Sequence, residues 1–135
     1  MNQTEQNNLA QARRYLHLIE TSTNPDDFLE VLHPDIRQQE FPNRLVEAGA
    51  VRTRDDMLDG VRRGAMVMAA QRYEITNILA SGDQVAVEVV WEGTLAVNIG
   101  NLKAGEIMKA YFGLFMRFED GKVIEQRNYD CFEAF

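Results

Sequence analysis

The sequence predicts an α+β fold, because helix-type and strand-type patterning are segregated along it. In the first half, apolar residues recur at the three- and four-residue spacing of a helix face. In the second half they alternate with polar residues over long runs, as on the two sides of a sheet. The last two runs meet at Asp120-Gly121, a strong hairpin signal. Helices first and long neighbouring strands afterwards argue for helices packed against one side of a sheet. A single domain, residues 1–135, is expected. That length buries a core without disulfides or metal, and no repeat or low-complexity tract interrupts it.

Met1 to Asn8 is polar and is expected to fray. From Leu9, the set Leu9, Ala12, Leu16 and Ile19, flanked by Tyr15 and Leu18, forms an amphipathic helix ending near Thr21 to Thr23. Asn24 offers an N-cap, Pro25 suits a first helical position, and Asp26 and Asp27 favour the positive helix start. This second helix is short, buries Phe28, Leu29, Val31 and Leu32, and is ended by Pro34. Ile36 to Phe41 reads as a short strand, followed by an irregular stretch through Pro42, Asn43 and Gly49. Thr53 and Asp56 resemble a capping box with Asp in place of Glu or Gln. The helix they start carries Met57, Val61, Ala65 and Met68 on one stripe. Gly60 and Gly64 weaken it by about 1 kcal/mol each relative to Ala, a cost that close packing against a sheet would explain.

Strands follow. Tyr73 to Ala80 leads through Ser81-Gly82-Asp83 to Gln84–Ala96, which places Val85, Val87, Val89 and Trp91 on one face. A loop from Asn98 to Gly105 precedes Glu106–Phe118. The final strand then alternates, with Val123, Glu125, Arg127 and Tyr129 on one face. Ile124, Gln126, Asn128, Asp130 and Phe132 take the other. A Gln-Asn-Asp row bounded by apolar residues suits a pocket wall. Bent around the first helix, such a sheet, antiparallel or mixed, forms a cone with a dry interior. If the row points inward, so do Ala110, Phe112, Leu114 and Met116 of the preceding strand. Lys109, Tyr111, Phe115 and Arg117 then lie outside, and the exposed aromatics predict a homodimer through that face.

Composition narrows the partners. Fourteen Lys and Arg against 21 Asp and Glu give a net charge of −7; without a basic cluster, this disfavours nucleic acid and anionic membrane. Cys131 is the only cysteine, so no internal disulfide forms and a reducing, cytoplasmic setting is expected. No leader pattern and no apolar run of membrane-spanning length is visible. His17 and His33 lack the acidic companions of a zinc or iron site. No phosphate-binding loop and no nucleophilic triad is present, so no metal and no cofactor is expected. Cys131 is read as an inert packed thiol.

Several short motifs are familiar. Ala12-Arg13-Arg14-Tyr15, Glu40-Phe41-Pro42, Val87-Glu88-Val89-Val90-Trp91-Glu92-Gly93 and Met116-Arg117-Phe118 with Asp120-Gly121 resemble the nuclear transport factor 2-like superfamily, near its ketosteroid-isomerase-like and SnoaL-like polyketide-cyclase members. The resemblance covers nearly the whole chain. It implies a cone-shaped, strongly curved sheet around N-terminal helices, a cystatin-like roll. In the steroid isomerases a Tyr at the place of Tyr15 donates to the oxyanion, and an Asp at the place of Glu40 is the base. Their second oxyanion donor, a protonated Asp, is here Leu114, so steroid isomerisation is not the expected reaction. The cyclase-like members carry an acid–base Asp late in the final strand, and Gly121-Lys122-Val123-Ile124-Glu125 followed by Asp130 resembles that arrangement.

The candidate catalytic residues are therefore Asp130, Glu40 and Tyr15. A carboxyl in an apolar cavity has a raised pKa and can move a proton on carbon beside a carbonyl. Asn128 and Gln126 are placed to orient it or to hold a carbonyl oxygen. Trp91, Phe112, Leu114 and Met116 complete a binding surface for a small hydrophobic molecule. The expected function is proton transfer on a hydrophobic carbonyl compound, as in a cofactor-free isomerase, cyclase or dehydratase. The alternative is a non-catalytic ligand-binding or dimerisation module of the same fold.

Overall fold

The computed structural model describes all residues from Met1 to Phe135 and has the expected α+β order. Helix α1 spans Gln3–Thr21 and starts well before Leu9. Instead of fraying, its start is held by a capping box between Asn2 and Glu5. Glu5 also accepts the Gly82 N–H at 2.9 Å, tying the helix start to a distant strand turn. A 3-10 helix, Pro25–Glu30, follows with Asn24 as its cap. It is one turn type tighter than the expected α-helix, and it stops before Pro34.

Strand β1 is Leu32–Glu40, β2 is Ala50–Arg52, and helix α2 is Arg54–Val67. Pro34 does not end a helix; it lies inside β1, between Leu32 and Arg37 where the pairing register shifts. A proline without a ladder partner is tolerated there. Thr53 and Asp56 form the expected capping box of α2. The remaining strands are β3 (Met68–Ser81), β4 (Gln84–Leu95), β5 (Ile107–Glu119) and β6 (Lys122–Phe132).

The six strands form one curved, open sheet in the order β2-β1-β6-β5-β4-β3. All pairs are antiparallel except β1 with β6, which run parallel. The sheet is therefore mixed. The parallel pair arises because β2, α2 and three strands intervene before β6 returns beside β1. The inner face carries Val85, Val87, Val89 and Trp91 of β4 opposite Ala110, Phe112, Leu114 and Met116 of β5, all buried. Ala12, Tyr15 and Leu16 of α1, with Phe28, Val31 and Ile36, close the core.

One correction concerns β6. Phe118 pairs with Val123 and Arg117 with Glu125, so Ile124 is the extra residue of a bulge. Val123 thereby turns inward and is fully buried, not outward with Glu125 as strict alternation requires. From Gln126 onward the expected alternation holds.

Gly93 shows why β4 carries a glycine beside its tryptophan. A Cβ at Gly93 would lie 2.5 Å from the Trp91 ring and 2.8 Å from the Met68 sulfur. The Trp91 indole therefore folds flat over a strand position without a side chain. Gly93→Ala is expected to displace that ring and to cost about 1–3 kcal/mol, read as a lower denaturation midpoint with a changed tryptophan emission.

Candidate active site

The polar row of β6 faces the core, as register requires. Gln126 lies opposite Met116, Asn128 opposite Leu114, and Asp130 opposite Phe112. Burying amides among apolar side chains is costly unless their hydrogen bonds are made, and two are. The Tyr15 hydroxyl, from α1, donates to Gln126 Oε1 at 2.9 Å, and Gln126 Nε2 donates to Asn128 Oδ1 at 2.9 Å. Burial pushes the Tyr15 phenol up to about 12, so it remains a neutral donor.

Asp130 is different. Its Oδ1 is sealed from solvent and has no hydrogen-bond partner. Its other oxygen has no protein donor either but is not sealed. Phe132, two residues on, joins Trp91 and Phe112 in an aromatic cluster with ring centres 5.4–5.9 Å apart. Desolvation disfavours the charged carboxylate, the nearby Glu40 charge adds repulsion, and Arg52 partly offsets both. The result is a carboxyl raised to about 7.

Glu40 ends β1 and pairs in register with Asn128. Unlike Asp130, it is fully engaged. Arg52 Nη1 donates to Glu40 Oε1 at 2.7 Å, and Asn43 Nδ2 donates to Oε2 at 2.8 Å. Arg52 also donates to Gln38 Oε1 at 3.2 Å. The irregular stretch expected after Pro42 contains β2, whose pairing with β1 brings Arg52 to Gln38 and Glu40. Nothing in a three-residue edge strand announces itself as periodic, so Arg52 and Gln38 escaped sequence reasoning.

A cavity of about 400 Å³ lies between α1, α2, β1 and the first residues of β3. Tyr15, Gln38, Arg52 and Gln71 are among its polar lining, and half of its twenty lining residues are hydrophobic. Its wall is mixed, not predominantly apolar. Of the expected site residues only Tyr15 lines it directly; Trp91, Phe112, Leu114, Met116, Gln126, Asn128, Asp130 and Glu40 do not. The row and the cavity meet through hydrogen bonds: Tyr15 to Gln126, Arg52 to Glu40, and Trp91 Nε1 to Gln71 Oε1 at 3.0 Å. Met57, Val61, Ala65 and Met68 face this space as the helical stripe required. So do Gly60 and Gly64, but a Cβ at either meets nothing within 4 Å. These glycines border open volume and do not permit close packing.

Tyr73 is a further residue the sequence did not single out. On β3 it pairs with Trp91, and its ring centre lies 6.1 Å from that of Phe112. Burial, and then the charges of Tyr15, Asp130, Glu20 and Glu40, push its phenol upward. That places a second phenol, after Tyr15, in the field of the Asp130 carboxyl. The only available signal was its inward parity on β3.

The outer face carries Tyr111, Phe115 and Tyr129, each 43–45% exposed. Phe41 stacks on Tyr129 with centres 4.6 Å apart, and Phe115 meets Tyr129 edge-on at 5.7 Å. Cys131 shares this face and is exposed, not packed.

Similarity to known proteins agrees with this architecture. Residues 12–126 match the model of the SnoaL-like domain. No curated protein sequence matches the chain. Among solved structures, IdmH from Streptomyces antibioticus, described as a candidate polyketide cyclase, superposes with a TM-score of 0.74 at 18% identity, covering 91% of each chain. A candidate SnoaL-like polyketide cyclase from Jannaschia sp. CCS1 gives 0.75 at 16% identity, covering 96% of this chain and 89% of its own. A protein from Catenulispora acidiphila with a ketosteroid-isomerase-like fold gives 0.70 at 18% identity, covering 88% and 83%. At these identities the structures speak for the fold. No helix is long and apolar enough to cross a membrane. The family model spans most of the sequence, and the chain belongs to the SnoaL-like domain family of the nuclear transport factor 2-like superfamily.

Proposed function

We propose that this protein catalyses proton transfer on a hydrophobic carbonyl compound, with Asp130 as the base and no cofactor. The observation that carries this reading is the state of the Asp130 carboxyl. It is turned into the sheet interior, has one oxygen sealed without a partner, and is raised to about 7. A structural carboxylate would be hydrogen-bonded, as Glu40 is. A base poised near neutral pH takes a proton from carbon beside a carbonyl and returns it elsewhere on the same molecule. Similar structures described as candidate polyketide cyclases fit such chemistry. The cavity volume of about 400 Å³ lies within the range of small-molecule sites.

The direct test is hydrogen exchange at the α-carbon of a flat hydrophobic ketone, 2-tetralone, in D2O, followed by proton NMR. Exchange faster than in buffer supports the reading. A second reading, ligand binding without chemistry, is favoured by the absence of Asp130 from the cavity lining. It predicts saturable binding of the same ketone with no gain in exchange.

The exposed Tyr111, Phe115 and Tyr129 support a homodimer through the outer face of the sheet. Sedimentation at micromolar concentration is expected to give twice the chain mass of 15.4 kDa, and Phe115→Glu to give the monomer. A wild-type monomer would refute this assembly. The exposed free thiol of Cys131 fits a reducing, cytoplasmic setting.

A further inference from the structure

We propose that Tyr15 is a positioning residue and that the donor to the substrate carbonyl is Asn128 Nδ2, aimed by Tyr15 through Gln126. This rests on the proton-transfer reading and assigns the group that stabilises the enolate. The hydrogen bonds run in one direction. Tyr15 donates to Gln126 Oε1, which leaves the Gln126 amide nitrogen facing Asn128; that nitrogen donates to Asn128 Oδ1. An amide whose oxygen is taken presents its NH2 outward. Asn128 Nδ2 therefore remains as the free end of the chain, with no protein acceptor and not sealed from solvent.

The Tyr15 proton is already engaged with Gln126, in a buried contact of 2.9 Å. Withdrawing it to serve a ligand would leave Gln126, 3% exposed, with an unpaired oxygen. Asn128 loses nothing when it donates outward. Its position also fits the chemistry. Asn128 and Asp130 are neighbours on one face of β6, so their side chains stand about 7 Å apart. A carbonyl oxygen and its α-carbon fill that span when each lies about 3 Å from its partner. The geometry selects an enolisable ketone, oxygen toward Asn128 and acidic carbon toward Asp130. The other candidate donor at Leu114, opposite Asn128, is apolar.

Two measurements test this on the intact protein. Side-chain amide signals of Gln126 and Asn128 in a nitrogen-15 spectrum without ligand report the chain itself. Tyr15→Phe is expected to move both pairs, and unmoved Asn128 signals would overturn the proposal whatever the activity. In the 2-tetralone exchange assay, Asn128→Ala should slow exchange about 100-fold, as loss of one oxyanion donor does. Tyr15→Phe and Gln126→Met should each slow it by roughly tenfold, and the double variant no further, because both break one chain. If Tyr15 itself met the carbonyl, Gln126→Met would leave its hydroxyl free and exchange intact; that result overturns the assignment. Loss of the base is separable: unchanged exchange in Asp130→Asn with the amide shifts present would remove the proton-transfer reading while leaving the chain in place.

Discussion

Asp130→Asn is expected to reduce α-proton exchange by about 100- to 10,000-fold, the usual worth of a positioned base, while leaving the fold and assembly unchanged. The wild-type rate should rise with pH through about 7, because the base works only when ionised. Stability should run the other way. The carboxyl is raised from an ordinary 3.8 to about 7 in the folded protein. Between those values the native state holds a proton that the unfolded state has released. Its contribution is therefore fully present below about 4 and is lost as pH rises through about 7. Over that window the loss is on the order of 4 kcal/mol. Asp130→Asn should abolish this slope and be the more stable protein at pH 8. Denaturant midpoints at pH 5 and pH 8 for both proteins measure it. A wild-type midpoint that does not fall over that range would show Asp130 to be an ordinary carboxylate.

Removal of either partner of the Glu40–Arg52 pair should have the next largest effect, and in two directions at once. Both side chains are mostly buried, 12% and 25% exposed. Leaving one charge there without its partner costs about 3 kcal/mol, so Glu40→Gln and Arg52→Met should both lower the denaturation midpoint. Their effects on Asp130 are opposite. Glu40 raises the Asp130 carboxyl and Arg52 lowers it. Glu40→Gln should therefore move the rising limb of the pH–rate profile toward acid, and Arg52→Met toward alkali, each by on the order of one pH unit. Abolished exchange in Glu40→Gln at every pH would instead identify Glu40 as the base. Its two hydrogen bonds, to Arg52 and Asn43, argue that it holds the site electrostatically and does not abstract the proton.

Much of the framework was legible because it rests on local chemistry. Thr53 and Asp56 close a capping box as their spacing requires, and Asn24 caps a helical turn before Pro25. Strict alternation put Val85 to Trp91 and Ala110 to Met116 on the buried face of the sheet. Misreadings occurred where a distant partner overrode the local pattern. The polar segment before Leu9 is helical because Asn2 and Glu5 cap it and Glu5 reaches Gly82. Val123 is buried because the β5–β6 hairpin inserts Ile124 as a bulge. Cys131 is exposed because strand parity puts it outside with Tyr129, where nothing covers it.

For the site, the division is sharper. The sequence by itself determined that Gln126, Asn128 and Asp130 share one face of the last strand, since a period of two leaves no other outcome once the bulge is passed. That this face meets Phe112, Leu114 and Met116 was decided by the Ile124 bulge, because the tight Asp-Gly turn alone would set Gln126 opposite Phe115. Only the tertiary structure decided that Glu40 is held by Arg52 and Asn43 while Asp130 goes without a partner. Two carboxylates of the same chemistry differ because hydrogen bonds and desolvation depend on what the fold brings within about 3 Å, and no spacing along the chain encodes that.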